Sequence, residues 1–311
     1  MIVFITTPEH SYTHEPVARV QSPGLRVNLC SYPMLFSRKV HAKATYVFTD
    51  MDRLSIRDLS RAARLFRTLK DSGSRVLNDP ARWLDRAALL RRLHTLGLNQ
   101  FCAYRVEENP QPARWPVFLR TEGDHGYPVG DLIHSQTELD AAIESAITAG
   151  SPVSALIVVE YAAEPVRSGL FRKLAAFRIG SYGVAHTCVH EDKWVVKYGK
   201  EGVAPPELYE EEFRIVTTNP FWPRLEKVFE TAGIEYGRVD FGLVNGQVQV
   251  YEINTNPQVK FLTEHPSAWR KRSYGAFKEN YIRALTNLSL VPSSLAVIDP
   301  VSRIPNGIRR R

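Results

Sequence analysis

The chain has 311 residues, of which 44% are hydrophobic and 23% charged, and its formal net charge at pH 7 is +7. A chain of this length and composition is expected to form a globular protein with two or three lobes, and the absence of any run of eighteen apolar residues excludes a membrane-spanning helix. The positive charge is scattered along the chain, so nucleic acid is not the expected partner.

The first predicted lobe covers residues 1–76. Strands are expected at residues 1–7 and 44–48, followed by a helix that begins after Ser55, with Asp58 in a capping-box position. The segment 8–40 is rich in His, Pro and Ser and has no clear period, so we assign it as loop with room for one short helix or strand. The first residues lack the positive leader of a signal peptide, and a cytoplasmic protein is therefore expected.

The second predicted lobe covers residues 77–162. It begins with a helix at 86–94 that Gly97 ends. A strand at 116–120 then leads into the turn-forming segment 121–126, and a helix at 137–149 follows with Thr137 as its expected cap. The lobe closes with a buried apolar strand at 155–159 that runs into Glu160-Tyr161-Ala162.

The third predicted lobe covers residues 163–290, and residues 291–311 are expected to be a tail. A strand at 174–180 and a return strand at 184–189 come first. Helices are expected from Glu210, at 224–232 between Pro223 and Gly233, and at Ala268–Leu288.

A β-hairpin is predicted around Asn245-Gly246, because apolar residues alternate on both sides of this pair. A two-residue type I′ turn would place Asp240 and Glu252 on opposite faces. We therefore predict a three-residue loop at 244–246, with Gly246 as a left-handed bulge residue. This register pairs Leu243 with Gln247.

The three-residue loop would gather four polar side chains on one face of the hairpin. Arg238 would lie opposite Glu252, Asp240 would lie diagonal to Glu252, and Asn254 would follow on the same face. Two carboxylates and an amide oxygen are ligands that suit Mg²⁺, which takes its remaining ligands from waters and phosphates. The alternative is an ordinary half-exposed hairpin with an Arg238–Glu252 cross-strand pair.

The runs Gly237-Arg238-Val239-Asp240 and Glu252-Ile253-Asn254-Thr255 resemble the ATP-grasp superfamily, especially its D-alanine:D-alanine ligase and glutathione synthetase branches. The resemblance implies an α+β protein in which a small α/β N-terminal lobe precedes two α+β lobes that enclose the nucleotide. It implies that Asp240, Glu252 and Asn254 hold two Mg²⁺ ions, with Mn²⁺ as the alternative ion, on the phosphates of ATP. Arg238 would be the catalytic residue.

The same resemblance implies which residues bind ATP. Arg86 and Arg120 stand where the family places phosphate-binding lysines, and Lys173 and Lys197 are candidate phosphate or carboxylate ligands. The remaining implied contacts belong to the adenine hinge and to the ribose: Glu160, Tyr161 and Ala162 for the base, and Glu164 for the sugar.

The implied activity is that of an ATP- and Mg-dependent ligase that activates a carboxylate as an acyl phosphate for attack by an amine. Its partners would be small-molecule or peptide carboxylates and amines. Two alternatives stay open: an ATP-grasp phosphotransferase that phosphorylates a small molecule, and a non-catalytic nucleotide-binding protein, which the arginines at the usual lysine positions would suit. The sequence identifies neither the substrates nor the oligomeric state, a homodimer being one option.

Overall fold

The computed structural model describes residues 1–123, 126–289 and, for the backbone alone, Leu295–Val297. The chain divides into two compact units. The first comprises residues 1–83, 255–260 and the described residues after 281, and the second comprises residues 84–254 and 261–281. The boundary predicted at 162 lies inside the second unit, so the three-lobe division stays a prediction.

The first unit contains a four-stranded parallel sheet with the strand order β2-β1-β4-β5. All five residues of β1 are buried, as expected of a central parallel strand. A short strand near the sheet, β3, pairs antiparallel with the last described strand, β15. The elements of this unit are β1 (Ile2–Thr6), α1 (Glu15–Ala18), β2 (Val27–Ser31), α2 (Tyr32–Ser37), β3 (Val40–Ala42), β4 (Thr45–Phe48), α3 (Ile56–Asp71), β5 (Arg75–Leu77) and β15 (Leu295–Val297).

Sequence and structure agree at α3 and differ at β2. Helix α3 begins after Ser55, whose hydroxyl accepts the backbone N–H of Asp58 at 3.1 Å, so the predicted cap is confirmed. Strand β2 lies in the segment assigned as loop with room for one short helix or strand, so its place was not predicted; it is an edge strand with one buried residue, Cys30, and lacks a strong apolar pattern. Strand β15 lies in the predicted tail, whose other residues are outside the described part of the chain.

The second unit contains two antiparallel sheets. The first has the order β6-β9-β7-β8 and packs against two helices. Its helix α5 is capped by Ser135, whose hydroxyl accepts the N–H of Glu138 at 3.3 Å, whereas the predicted cap Thr137 lies inside the helix. The elements are α4 (Arg86–Thr95), β6 (Ala103–Arg105), β7 (Val117–Thr121), β8 (Val129–Ile133), α5 (Gln136–Thr148) and β9 (Leu156–Glu160).

The other sheet of this unit has the order β11-β10-β13-β14, and β12 also pairs with β10. Helix α6 begins at Pro206, four residues before the predicted start at Glu210, because proline suits the first helical turn. Helices α7 and α8 lie where they were predicted. The elements are β10 (Phe171–Ile179), β11 (Tyr182–Ala185), β12 (Val189–Glu191), α6 (Pro206–Thr218), α7 (Trp222–Ala232), β13 (Tyr236–Val244), β14 (Gln247–Asn254) and α8 (Ala268–Leu288).

Helix α8 spans 21 residues and supplies aromatic residues to the core of the second unit. Phe277 and Tyr281 pack against Phe177 of β10, and the Tyr281 hydroxyl hydrogen-bonds that of Tyr236 at 2.6 Å. Within the described ranges, no helix combines the length and the apolar composition needed to cross a bilayer.

Candidate nucleotide and metal site

The β13–β14 hairpin is closed by a two-residue turn. Asn245 and Gly246 have φ values of 50° and 72°, and Val244 pairs with Gln247, which are the features of a type I′ turn. The predicted three-residue loop is therefore wrong. Asparagine followed by glycine tolerates two left-handed conformations in succession, so the local sequence favours the shorter turn.

A β-bulge at Tyr251 changes the register of this hairpin. Phe241 pairs with Val250, but the preceding residue Asp240 pairs with Glu252, so Tyr251 is the extra residue. The Tyr251 hydroxyl donates to the carbonyl of Ala162 at 2.9 Å and lies directly over Gly242, where a methyl group would overlap it. A glycine inside a strand is a known signal of a bulge, and it was the sequence cue that we missed.

The bulge places the predicted site residues on one face of the hairpin, but with different cross-strand pairs from those predicted. Asp240 lies directly opposite Glu252, and Arg238 lies opposite Asn254. The predicted pairing of Arg238 with Glu252, and the diagonal relation of the two acids, are therefore wrong. Because side chains alternate along a strand, all four residues still share a face, as the metal hypothesis requires.

Asp240 is a buried carboxylate that two cations hold in place. It is 1% exposed; Arg238 approaches it through Nε at 2.6 Å and Nη2 at 3.0 Å, and the Lys173 ammonium lies 3.2 Å away. Burial alone would raise the pKa of Asp240, but Arg238 and Lys173 outweigh it and lower this pKa to about 2. The carboxylate is therefore ionised at neutral pH and can serve as an oxygen ligand.

Glu252 is paired with Arg86 from the first turn of α4. The same turn is fixed by two acids: Asp85 accepts the N–H of Ala88 at 2.9 Å, and Glu122 accepts the N–H of Ala87 at 2.9 Å. Glu122 also pairs with Arg105 at 2.8 Å. The acid that follows β7 is thus directed to a helix N-terminus and an arginine.

Both sheets of the second unit contribute to one cavity. Among the described residues, five basic and three acidic side chains line it, so it favours an anionic ligand. Arg238, Asn254 and Glu164 do not line it. The predicted site residues that do are Arg86, Arg120, Glu160, Tyr161, Ala162, Lys173, Lys197, Asp240 and Glu252.

The residues predicted to form the adenine hinge, 160–162, lie at the end of β9 and just after it, and the Glu160 side chain is hydrogen-bonded within the protein. Its buried carboxylate accepts the N–H of Cys102 at 2.9 Å, the hydroxyl of Tyr104 at 2.8 Å and the N–H of Arg114 at 3.1 Å. This carboxylate is therefore already engaged by three protein groups.

Glu164, the predicted ribose ligand, is exposed and points to the hairpin turn. Its Oε2 atom accepts the backbone N–H of Asn245 at 2.6 Å. Glu164 does not line the cavity, although Ala163 does.

Sequence reasoning missed an aromatic wall of the cavity. The Trp194 ring centroid lies 5.1 Å from that of Phe118 and 5.6 Å from that of Tyr161. The signal available was Trp194-Val195-Val196, an apolar run inside a polar stretch without strand periodicity, which is unusual for a solvated loop. Arg172 was also missed; its side chain is 6% exposed and pairs with Glu211 at 3.0 Å.

Lys197 is one of the five described basic residues that line the cavity. Its ammonium is 4.5 Å from the ring centroid of Tyr127 and 5.0 Å from that of Tyr198, both within cation–π range. Its carbonyl accepts a hydrogen bond from the Lys173 ammonium at 3.3 Å. Lys173 thus links Lys197 to Asp240.

The donor set fits Mg²⁺ bound together with a phosphate ligand. No group of three or more His, Cys, Asp or Glu side chains in the described ranges is arranged to hold a metal by itself. Asp240 and Glu252 nevertheless face each other, and Asn254 follows on the same face of β14. Mg²⁺ commonly takes one or two carboxylates and completes its shell with waters and phosphate oxygens, which this pair allows.

Comparison with known proteins identifies the fold. No family model and no curated protein matches the chain. Among solved structures, a RimK domain ATP-grasp protein from Sphaerobacter thermophilus aligns with 94% of this chain and 100% of its own, at 17% identity and a TM-score of 0.50. The chain has the ATP-grasp fold.

Two further solved structures resemble this ATP-grasp chain. D-alanine–D-alanine ligase from Bacillus anthracis, complexed with ATP, aligns with 93% of this chain and 99% of its own, at 11% identity and a TM-score of 0.47. VanG D-Ala:D-Ser ligase from Enterococcus faecalis aligns with 92% and 98%, at 11% identity and a TM-score of 0.48. The α+β ATP-grasp fold predicted from the sequence is confirmed. A shared fold does not identify the substrate of this chain.

Proposed function

We propose that this ATP-grasp protein is an ATP- and Mg-dependent ligase that joins a carboxylate to an amine. The observation that supports the proposal most directly is the cavity in which the paired acids Asp240 and Glu252 lie beside five basic side chains. Such a cavity suits a polyphosphate that is bound through a divalent cation.

The nucleotide would lie with its base at the aromatic end of the cavity. Phe118, Tyr161 and Trp194 offer ring surface there, and the backbone of residues 160–162 offers hydrogen-bonding groups. The phosphates would lie against the basic side chains of the lining, Arg86, Arg120, Lys173 and Lys197. Arginine can contact two phosphate oxygens at once, so Arg86 and Arg120 can replace lysines there.

Asp240, Glu252 and Asn254 would hold the magnesium ions. Bound there, magnesium neutralises charge on the transferring phosphoryl group. Arg86 and Lys173 now provide the positive charge next to these carboxylates, and both could turn to the phosphates once a metal is present. Arg238 would hold Asp240 in place. We also propose that it acts as the catalytic residue by stabilising negative charge at the reacting carbonyl.

Ligation needs an activated carboxylate, because a carboxylate is a poor electrophile. An oxygen of the substrate carboxylate would attack the γ-phosphorus of ATP, which breaks the bond to the bridging oxygen and yields ADP and an acyl phosphate. The amine would then attack the acyl carbon, release inorganic phosphate and lose a proton. The basic side chains of the cavity would stabilise charge in both steps.

The experiment is a screen for ADP release from Mg-ATP in the presence of pooled carboxylates and amines. We expect release that requires one compound of each kind, and Asp240→Asn should reduce it by at least about 10²-fold, the usual cost of losing a transition-state charge contact. Asp140→Asn, a change of an exposed carboxylate on α5, is the matched control and should be silent.

Three results of this screen would contradict parts of the proposal. A stable phosphorylated product formed without any amine would identify a phosphotransferase. ATP binding without turnover in any pool would indicate a non-catalytic nucleotide-binding protein. Undiminished activity in Asp240→Asn would reject the metal assignment.

A further inference from the structure

Lys197 is carried to the cavity by a segment without regular secondary structure, residues 192–200, that follows β12. One carboxylate oxygen fixes this segment. Glu191 Oε1 accepts the backbone N–H groups of Lys197, Tyr198 and Gly199 at 2.9, 2.9 and 2.8 Å. Consecutive N–H groups that converge on one anion form a nest, and charge-assisted bonds of this kind are stronger than neutral ones.

Gly199 makes this arrangement possible. Its φ of 81° lies in the left-handed region, and a Cβ atom there would lie 3.0 Å from Cβ of Val189. The next N–H, that of Lys200, donates to the carbonyl of His190 at 2.9 Å. Four consecutive amides, those of residues 197–200, are therefore bound to the last two residues of β12.

The fixed segment reaches the metal side of the cavity through Lys173. The Lys197 carbonyl accepts from the Lys173 ammonium at 3.3 Å, and that ammonium lies 3.2 Å from Asp240. Strand β12 is itself paired with β10, where Glu191 lies opposite Phe171 and Val189 opposite Lys173. Glu191 does not line the cavity, so any effect on a bound nucleotide must pass through the residues that it holds.

We propose that Glu191 is a positioning residue for the phosphate end of the nucleotide site. It holds Lys197 in its binding position before the ligand arrives, so that binding does not have to order residues 192–200. This inference rests on the proposed function, because it assumes that Lys197 contacts phosphate. Removing Glu191 would leave three amides without their acceptor and would release the lysine.

The test is a double-mutant cycle on nucleotide affinity, with the non-hydrolysable probe Mg-AMP-PNP and isothermal titration calorimetry on the full chain. Lys197→Ala should weaken binding about tenfold or more, as expected for the loss of a hydrogen bond between charged groups. Glu191→Ala should weaken it to a similar extent, and the double variant should be no weaker than Lys197→Ala.

Two variants make the test specific. Glu191→Gln keeps an oxygen acceptor and should bind within about threefold of the wild type, because the three amides retain a partner. Asp192→Asn changes the neighbouring exposed acid, whose contact is the Lys200 side chain at 2.7 Å, and should bind like the wild type. Hydrogen exchange at the amides of Tyr198 and Gly199 should accelerate in Glu191→Ala and not in Asp192→Asn.

The outcomes separate this inference from the function on which it rests. Additive losses in the cycle, wild-type affinity in Glu191→Ala, or a Glu191→Gln variant as weak as Glu191→Ala would overturn the positioning role while the nucleotide site stands. A wild-type protein that does not bind Mg-AMP-PNP would overturn the site itself, and the positioning role with it.

Discussion

At the scale of single residues, the site depends on how buried charges are compensated. A carboxylate that loses its water stays ionised only if cations and hydrogen bonds replace the water, and at Asp240 the replacements are Arg238 and Lys173. Each acid of the hairpin therefore already lies next to a positive charge: Asp240 next to Arg238 and Lys173, and Glu252 next to Arg86. Asp240 therefore remains ionised at neutral pH whether or not a metal is bound.

Replacement of Arg238 tests this compensation. Arg238→Met should lower the free energy of unfolding by about 3–5 kcal/mol, because it leaves a buried carboxylate without its bidentate partner. Urea denaturation measures the change. Arg19→Met removes an exposed pair, in which the Arg19 side chain is 78% exposed, and should cost about 0–1 kcal/mol. Equal losses in the two variants would refute the compensation argument.

Two buried histidines predict an acid-sensitive stability. Burial lowers the pKa of His14 to about 3 and that of His190 to about 4, from an ordinary value of 6.5, although Asp50 partly opposes the shift at His14. Because the unfolded chain binds the protons first, the stabilisation is complete above pH 6.5 and is lost as the pH falls from 6.5 towards these values. Each histidine should contribute a slope of about 1.4 kcal/mol per pH unit in that window.

The measurement is the free energy of unfolding at several pH values between 7 and 5. His190→Gln should reduce the pH dependence of the free energy of unfolding by the contribution of one histidine, since glutamine does not titrate. A slope that is unchanged in this variant would show that His190 does not titrate in the way proposed. Asp240, whose pKa is depressed, should add a loss of stability between about pH 4 and pH 2.

At the scale of elements, the β13–β14 hairpin decides whether a site exists, since its register sets the face on which each acid lies. Gly242 and Tyr251 form the bulge together: the tyrosine lies over the glycine, and its hydroxyl is bound to the carbonyl of Ala162. The register of the acids therefore depends on a residue with no side chain and on an aromatic residue that belongs to the cavity wall.

A methyl group at Gly242 should disturb both stability and binding. Gly242→Ala should cost about 1–3 kcal/mol, the usual range for overpacking, and should weaken Mg-nucleotide binding because Tyr251 must move. Gly275→Ala, in α8, is the matched control; a Cβ atom there meets nothing within 4 Å, and the change should be neutral or stabilising by up to about 1 kcal/mol. Wild-type behaviour of Gly242→Ala would show that the bulge tolerates the extra volume.

The elements that the sequence predicted well are those with strong local signals. Helices α3, α7 and α8 have clear periodicity or terminal signals, and the buried strand β9 is a continuous apolar run. Edge strand β2 lacked such a signal. For the hairpin, the prediction that the four polar residues share a face was correct, but the predicted turn was wrong. Periodicity indicates two paired strands. A bulge depends on contacts between residues far apart in sequence, such as Tyr251 with Ala162, and these could not be predicted.

At the scale of the whole molecule, the fold resembles solved structures more clearly than the sequence does. No family model matches the chain, yet a solved ATP-grasp structure aligns with 94% of it at 17% identity. The two short motifs on β13 and β14 were enough to predict the fold, because they resemble the ATP-grasp superfamily in both residue type and order. Side-chain roles such as those of Glu160 and Glu164 could not be predicted, because their partners come from distant segments.

Nucleotide binding should stabilise the second unit against heat. At a ligand concentration 100 times its Kd, mass action contributes about 2.7 kcal/mol, which should raise the midpoint of thermal unfolding by several degrees. Mg-AMP-PNP should give this shift, and the nucleotide with excess EDTA should give a much smaller one. Asp240→Asn should abolish the difference between the two conditions, and a wild-type difference in that variant would exclude Asp240 as a metal ligand.

The tight turn and the bulge also determine which changes in length the site tolerates. Eleven residues separate Asp240 from Glu252. With a two-residue turn and an unbroken ladder, this odd number would place the two acids on opposite faces; they share a face because Tyr251, the bulge residue, has no partner on β13. Inserting a single residue into either strand, with the turn and the bulge kept as they are, would send one acid to the reverse side, whereas inserting two would keep them together. Distant homologues with an even spacing should therefore have either a different turn or an unbroken ladder.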